Sequence, residues 1–209
     1  MGLYYSLEFI TKSENILKLL KAFSERLIEK DRERFNNFDI YEPEYEEINI
    51  DKWGNKSIIK LGFKHTYNKE YDTKNYYCLS MLAEADEGII NNFPDYKESV
   101  ENNKVSIGCA WTSLYVGESN VLLQVDAAAT SISLMFEESE NIHKLCSGIA
   151  KEVGDTKVYL NKNECIYCQF FPENKEYINP DFDLSLDDST FNVDAYVKKV
   201  EGLSDLNLC

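Results

Sequence analysis

Two stretches of this chain, 127 residues apart, share a pattern that predicts the same local structure twice. The letters SLEF at 6–9 precede SENI at 13–16, and SLMF at 133–136 precedes SENI at 139–142. Each copy continues with apolar residues at the spacing of one helical face. These positions correspond in the two copies: Ile16, Leu19, Leu20, Phe23 and Leu27 in the first, and Ile142, Leu145, Cys146, Ile149 and Val153 in the second.

Each copy therefore predicts a strand followed by an amphipathic helix. Apolar and polar residues alternate before both SENI motifs, which predicts strands at 3–10 and 131–137. The predicted helices cover 12–28 and 139–153. Thr11 and Glu14 fit a capping box, Ser139 fits an N-cap, and Gly154 fits a helix end.

A hairpin pattern follows each predicted helix, at 48–63 and at 158–170. The sequence thus predicts an α+β fold in which two β-α-β-β repeats share an antiparallel sheet, with the helices on one face. This arrangement resembles paired ferredoxin-like units in topology, which implies nothing about function. We assign 1–63 and 131–171 to the repeats, 64–130 to intervening strands and 172–209 to an acidic C-terminal segment, all within one compact domain.

The intervening region has its own strand and helix patterns. Two β-rich runs at 105–116 and 121–127 flank the turn sequence GESN, which predicts another hairpin. A further strand is predicted at 76–82. A short helix is predicted at 83–93, ending before Pro94.

Charge and hydropathy argue against several classes of partner. The chain has 22 Lys and Arg against 37 Asp and Glu, a net charge of −15, and nucleic-acid binding needs clustered cations instead. No apolar run approaches the roughly 18 residues that span a bilayer. No secretory leader is visible, so we expect a cytoplasmic protein without a membrane partner. Residues 172–209 are the most acidic per residue, and we interpret them as a solvated or surface-bound segment, with a docking surface as the alternative.

The residue types that usually carry chemistry form no recognisable motif. Cys165 and Cys168 form a C-x-x-C inside a predicted strand, where the side chains would point to opposite faces, so we expect neither a disulfide nor a metal. His143 falls at the edge of a helical stripe, and His65 follows a predicted strand. Phosphate loops, dinucleotide fingerprints and zinc-protease motifs are absent. We therefore predict no catalytic residue, metal ligand or cofactor, and we favour a protein that is not an enzyme.

Tyrosines interleaved with acids form the most distinctive surface pattern. Tyrosine supplies large contact area at low entropic cost in interfaces, although it is also a common half-buried strand residue. The predicted binding residues are Tyr41, Glu44, Tyr45, Glu46, Glu47, Tyr67, Tyr71, Asp72 and Tyr76.

Two functions remain open from the sequence. The first is a non-catalytic acidic protein that binds a basic partner, as inhibitors and immunity proteins bind nuclease toxins. The second is an enzyme or small-molecule-binding domain with a pocket between the two repeats. The sequence leaves the oligomeric state and the identity of any partner open.

Overall fold

The computed structural model describes residues 3, 5–36, 59–60, 79–162, 166–171, 174–178 and 193–204. Helices and antiparallel strands are mixed, which confirms the α+β class. The strands are β1 (Tyr5–Lys12), β2 (Ile59–Lys60), β3 (Leu79–Ala83), β4 (Val100–Glu101), β5 (Lys104–Val116), β6 (Asn120–Ala127), β7 (Lys157–Lys162), β8 (Ile166–Phe171) and β9 (Asn174–Ile178). The helices are α1 (Ile16–Ser24), α2 (Glu29–Asn36), α3 (Glu87–Asn92), α4 (Thr130–Glu138), α5 (Glu140–Val153) and α6 (Val193–Ser204).

Hydrogen bonds join the described strands into one antiparallel sheet. Its main order is β2-β5-β6-β1-β7-β8-β9, and β3 and β4 also pair with β5. The first strand of the chain is therefore central, with Glu8 opposite Gln124 on β6 and opposite Tyr159 on β7. Residues 5–11 of β1 are all buried, which requires that both faces of the sheet be covered here.

The two faces are covered differently. Leu7 and Phe9 join the main apolar cluster together with side chains from α1, α3, α4 and α5, and we call this side the helix-rich face. Ile10 points to the opposite side, where it packs with Tyr115, Leu122 and Tyr159 beneath α6. We call that side the α6 face.

The prediction of helices on one face only is therefore wrong. The C-terminal segment, which we interpreted as solvated or surface-bound, contains a helix, α6, that packs on the sheet. The residues that α6 buries against the sheet are Val193, Tyr196, Val197 and Val200. This i, i+3, i+4, i+7 spacing is a regular helical stripe, which the acidic residues of the segment obscured.

The predicted strand at 131–137 is also wrong, because these residues lie in α4. The strand interpretation rested on alternation of Ile132, Leu134 and Phe136, but the residues that are buried are Ile132, Met135 and Phe136, at helical spacing. Ser133, also buried, accepts a hydrogen bond from Tyr5 N and donates one to Leu3 O, which ties α4 to the start of β1. The second copy thus lacks its first strand, and the repeat with its ferredoxin-like arrangement is not confirmed.

The predicted apolar faces of the two helices are confirmed. Leu19, Leu20 and Phe23 are buried on α1, as are Ile142, Cys146, Ile149 and Val153 on α5. Ser139 caps α5 by accepting a hydrogen bond from Ile142 N, and Gly154 follows the helix with φ of 76°. Both caps were predicted.

The capping box at Thr11 and Glu14 is wrong. β1 continues to Lys12, a 3-10 turn covers Ser13–Asn15, and the Thr11 hydroxyl accepts a hydrogen bond from Asn15. The predicted helix 12–28 is also shorter than expected, since α1 ends at Ser24 and Leu27 pairs with Met81 instead.

The hairpins were predicted with mixed success. β5 with β6 and β7 with β8 form antiparallel pairs at the predicted places. The hairpin at 48–63 is described only at β2, which pairs with β5. The short helix predicted at 83–93 is present as α3 but begins later, at Glu87, because β3 continues to Ala83 and Asp86 caps the helix.

Candidate functional site

The predicted binding residues lie outside the described part of the chain. Tyr41, Glu44, Tyr45, Glu46 and Glu47 fall between residues 36 and 59. Tyr67, Tyr71, Asp72 and Tyr76 fall between residues 60 and 79. They remain a prediction.

Cys146 and His143 have side chains that the structure describes, and both lie in the helical layer. Cys146 is fully buried, and burial raises the pKa of its thiol to about 12, which favours the neutral thiol over the thiolate. Nε2 of His143 lies 2.7 Å from the carbonyl oxygen of Phe136, which joins α5 to α4. His65 and Cys165 lie outside the described residues, and Cys168 lies on β8 opposite Leu160. No group of three potential metal ligands occurs within the described ranges.

A row of polar side chains crosses the α6 face beside its apolar cluster. Ser6 and Glu8 come from β1, Gln124 and Asp126 from β6, and Asn161 from β7. Glu8 is completely buried, and its carboxylate accepts hydrogen bonds from Asn161 Nδ2 at 2.9 Å and from the hydroxyl of Tyr196 on α6 at 2.5 Å. We call these five strand residues the polar row.

The second carboxylate of the polar row is Asp126. Its Oδ1 accepts hydrogen bonds from the Ser6 hydroxyl at 2.6 Å and from Gln124 Nε2 at 2.9 Å. Burial raises its pKa, whereas these two hydrogen bonds act in the opposite direction.

Glu8 titrates close to neutral pH. Burial raises its pKa to about 7, the charge of Asp126 adds to the rise, and the hydrogen bonds from Tyr196 and Asn161 oppose it. Such a carboxyl group has the proton affinity of a general acid or base. It has no exposed surface, however, and the hydroxyl of Tyr196 covers one of its oxygens, so the arrangement holds α6 on the sheet.

A second polar contact anchors the start of α6. The carboxylate of Asp194 accepts hydrogen bonds from the backbone N–H groups of Glu118 and Ser119, in the turn between β5 and β6, and from Nδ2 of Asn120, the first residue of β6. A side chain added at Gly117 would lie 2.7 Å from this carboxylate, so the glycine allows the close approach.

An acidic surface with exposed apolar side chains lies around α3. Residues 84–101 contain six acidic residues and one lysine. Ile90 and Val100 are 42% and 49% exposed, and both are large apolar side chains. Asn92 on α3 donates a hydrogen bond to Glu138 on α4, which places a further carboxylate beside α3. We call this the α3 surface; its members are Glu87, Ile90, Asp95, Glu98, Val100 and Glu138.

A cleft of about 310 Å³ lies on the helix-rich side, between α5, β3 and the chain that follows α1. Three cationic residues line it, namely Arg26, Lys104 and Lys144. Its size is at the lower end of the range for small-molecule sites. The cleft could not be predicted from the sequence, because its residues come from four separate segments.

Comparisons with protein-family models, with curated proteins and with solved structures found no match. Among the described helices, none has the length and apolar character needed to cross a membrane.

Proposed function

We propose that this is a non-catalytic cytoplasmic protein that binds a basic protein partner through acidic surfaces bearing apolar and tyrosine side chains. Inhibitors and immunity proteins that neutralise nuclease toxins have this physical character, because nucleases carry basic clefts. The α3 surface is the observation that carries the proposal. The tyrosine-rich acidic stretches around Tyr45 and Tyr71 are proposed to extend the same binding function.

The α3 surface combines the two features that such an interface needs. Interfaces place apolar side chains at the centre and polar ones at the rim. Ile90 and Val100 supply exposed apolar area, and Glu87, Asp95 and Glu98 are exposed carboxylates in the same stretch. Only Lys97 offsets this negative charge between residues 84 and 101.

The charge of the whole chain supports the same partner class. A net charge of −15 produces a long-range field that accelerates encounter with a cationic protein. Screening shortens the reach of this field from roughly 30 Å at 0.01 M salt to about 8 Å at 0.15 M. Association, more than dissociation, should therefore depend on salt.

The alternative, an enzyme, has one observation in its favour. Glu8 has a pKa near 7, as general acids and bases often do. Its complete burial and its bond to Tyr196 favour the structural role described above.

The experiment compares two charge-reversed variants with matched net charge. In the first, Glu87, Asp95 and Glu98 are changed to lysine; in the control, the exposed residues Glu14, Glu29 and Glu118 are changed to lysine. Each protein is immobilised, exposed to source-cell extract at low salt, and the captured proteins are identified. The captured basic protein is then purified, and its association and dissociation rates are measured between 0.01 and 0.15 M salt.

We expect the wild type and the control to bind one basic protein that the α3-surface variant does not bind. The rate at which this basic protein associates with the wild type should fall steeply as the salt concentration rises. Equal binding by both variants, or a rate that does not depend on salt, would contradict the proposed surface. Turnover of a small molecule by the purified protein would favour the enzyme.

A further inference from the structure

The side chains that line the cleft between α5 and β3 are more cationic than the chain as a whole. The chain has more acids than bases by a wide margin, yet the residues that line the cleft include three cations and one carboxylate, Glu84. Three acids stand beside it: Glu25 and Glu152 pair with Arg26, and Glu140 pairs with Lys144.

These flanking pairs leave cationic groups accessible at the cleft. Nζ of Lys144 lies 3.6 Å from Oε2 of Glu140, and the two side chains are 72% and 77% exposed. Such an exposed ion pair is weak, so an external anion can replace the carboxylate. Lys104, also exposed, forms no ion pair with any residue in the described ranges. The two lysines can therefore take an anionic group without breaking a strong contact.

Arg26 has a fixed position at the edge of the cleft. Its guanidinium donates hydrogen bonds to the carbonyl oxygen of Ala22 and to Glu152, and its own carbonyl accepts one from Leu82 N on β3. A side chain that is already held loses little entropy when a ligand binds.

Apolar side chains and a helix glycine also line the cleft. Leu82, Ala83 and Leu145 line it. Gly148 on α5 also lines it, and a Cβ at this position would have nothing within 4 Å. The missing side chain therefore leaves open space within the cleft itself.

We infer that this cleft binds a small organic anion, with its anionic group at Lys104 and Lys144 and a short apolar chain against Leu145 and Gly148. A carboxylate and a phosphate monoester share the required chemistry. This inference is independent of the α3 surface, because none of the residues changed in that experiment lines the cleft.

The test is an NMR titration of the full chain with three probes that share one apolar chain: hexanoate, hexyl phosphate and hexylammonium. We expect saturable shifts of the backbone amides of α5 around Gly148 with one or both anions, and none with the ammonium. Comparison of the two anions separates a carboxylate site from a phosphate site. The absence of saturation with either anion, or equal shifts with hexylammonium, would overturn the inference.

Two pairs of variants then locate the binding. Gly148→Leu fills the open space and should weaken binding by at least about tenfold, roughly 1.4 kcal/mol. Gly108→Leu is its control, since Gly108 also has nothing within 4 Å of a Cβ but lies on β5 outside the cleft. Should Gly148→Leu not fold, the double variant Lys104→Glu and Lys144→Glu replaces it, with Lys18→Glu and Lys97→Glu as control. Wild-type affinity in the cleft variants would overturn the inference.

Discussion

The two faces of the sheet achieve burial by different chemistry. On the helix-rich face, 28 described residues form one apolar cluster that draws on four helices. On the α6 face the apolar cluster has eight residues, which come from one helix and the strands beneath it, and the polar row lies beside this cluster. β1 contributes to both, with Phe9 on one side and Glu8 on the other, both fully buried.

This difference separates two sources of stability. Apolar burial is insensitive to pH and scales with the area removed from water. A buried carboxyl group contributes only while its protonation state and hydrogen bonds suit its surroundings. The helix-rich face should therefore set the overall stability, and the α6 face should set its dependence on pH.

The largest effect is expected from the helix-rich face. Phe23 is fully buried on α1, and its ring packs edge-on against Phe9 at 6.0 Å between centroids. Phe23→Ala should lower the free energy of unfolding by about 3–5 kcal/mol, because it leaves a cavity in this cluster. Urea unfolding measures it. Leu17→Ala on the same helix is the control; with Leu17 59% exposed, a comparable loss there would contradict the assignment of the faces.

The α6 face should make stability fall as pH rises. The pKa of Glu8 is raised to about 7 in the folded protein, against an ordinary value of 4.5. Its contribution is therefore complete below about pH 4.5 and lost as pH rises through 7, on the order of 3 kcal/mol. Asp126, whose pKa is also raised, acts in the same direction.

Glu8→Gln separates this contribution from the rest of the molecule. The amide keeps an oxygen for Asn161 and an N–H for the hydroxyl of Tyr196, but it does not ionise. Urea unfolding of both proteins between pH 4.5 and 8 should show a smaller loss of stability for the variant. Two parallel curves would show that Glu8 does not titrate in this range.

The helix-rich face was largely predictable from sequence, and the α6 face was not. The stripes of α1 and α5, the cap at Ser139 and the hairpin of β5 and β6 all depend on local spacing. Local spacing also led to the wrong prediction of a strand at 131–137, because the apolar residues of this segment fit both an alternating and a helical pattern. Tertiary contacts decided between them, since Ser133 binds the backbone of β1.

The polar row and the cleft depend on pairings that no local pattern encodes. Glu8 lies beside Gln124 and Tyr159 only because β1 is central in the sheet. Tyr196, 188 residues away, reaches it only through the docking of α6. The helical spacing of Val193, Tyr196, Val197 and Val200 was the sequence signal for the helix that covers this face.

A smaller effect tests the contact between α6 and the polar row. Tyr196→Phe removes the hydrogen bond to Glu8 while keeping most of the buried ring. We expect a loss of about 1–3 kcal/mol, because a buried carboxyl oxygen loses its donor. The pKa of Glu8 should rise further, since this hydrogen bond lowers it. NMR titration of the Glu8 side chain measures the shift, and an unchanged pKa would contradict the contact.

The smallest effects on the free energy of unfolding are expected at two glycines in and directly after α5. There the backbone conformation, and not the burial of a side chain, should decide the effect. Gly148 lies within α5 with open space around its Cβ position, so Gly148→Ala should raise the free energy of unfolding by about 0.5–1 kcal/mol. Gly154 also has open space but has φ of 76°, so Gly154→Ala should lower it by about 1 kcal/mol.

Neither change alters the apolar cluster or the polar row, so both should keep the pH dependence of the wild type. Urea unfolding at two pH values measures both quantities. Opposite signs for Gly148, within α5, and Gly154, directly after it, would show that backbone conformation decides the effect. A loss at Gly148 would mean that the open cleft beside α5 is closed in solution.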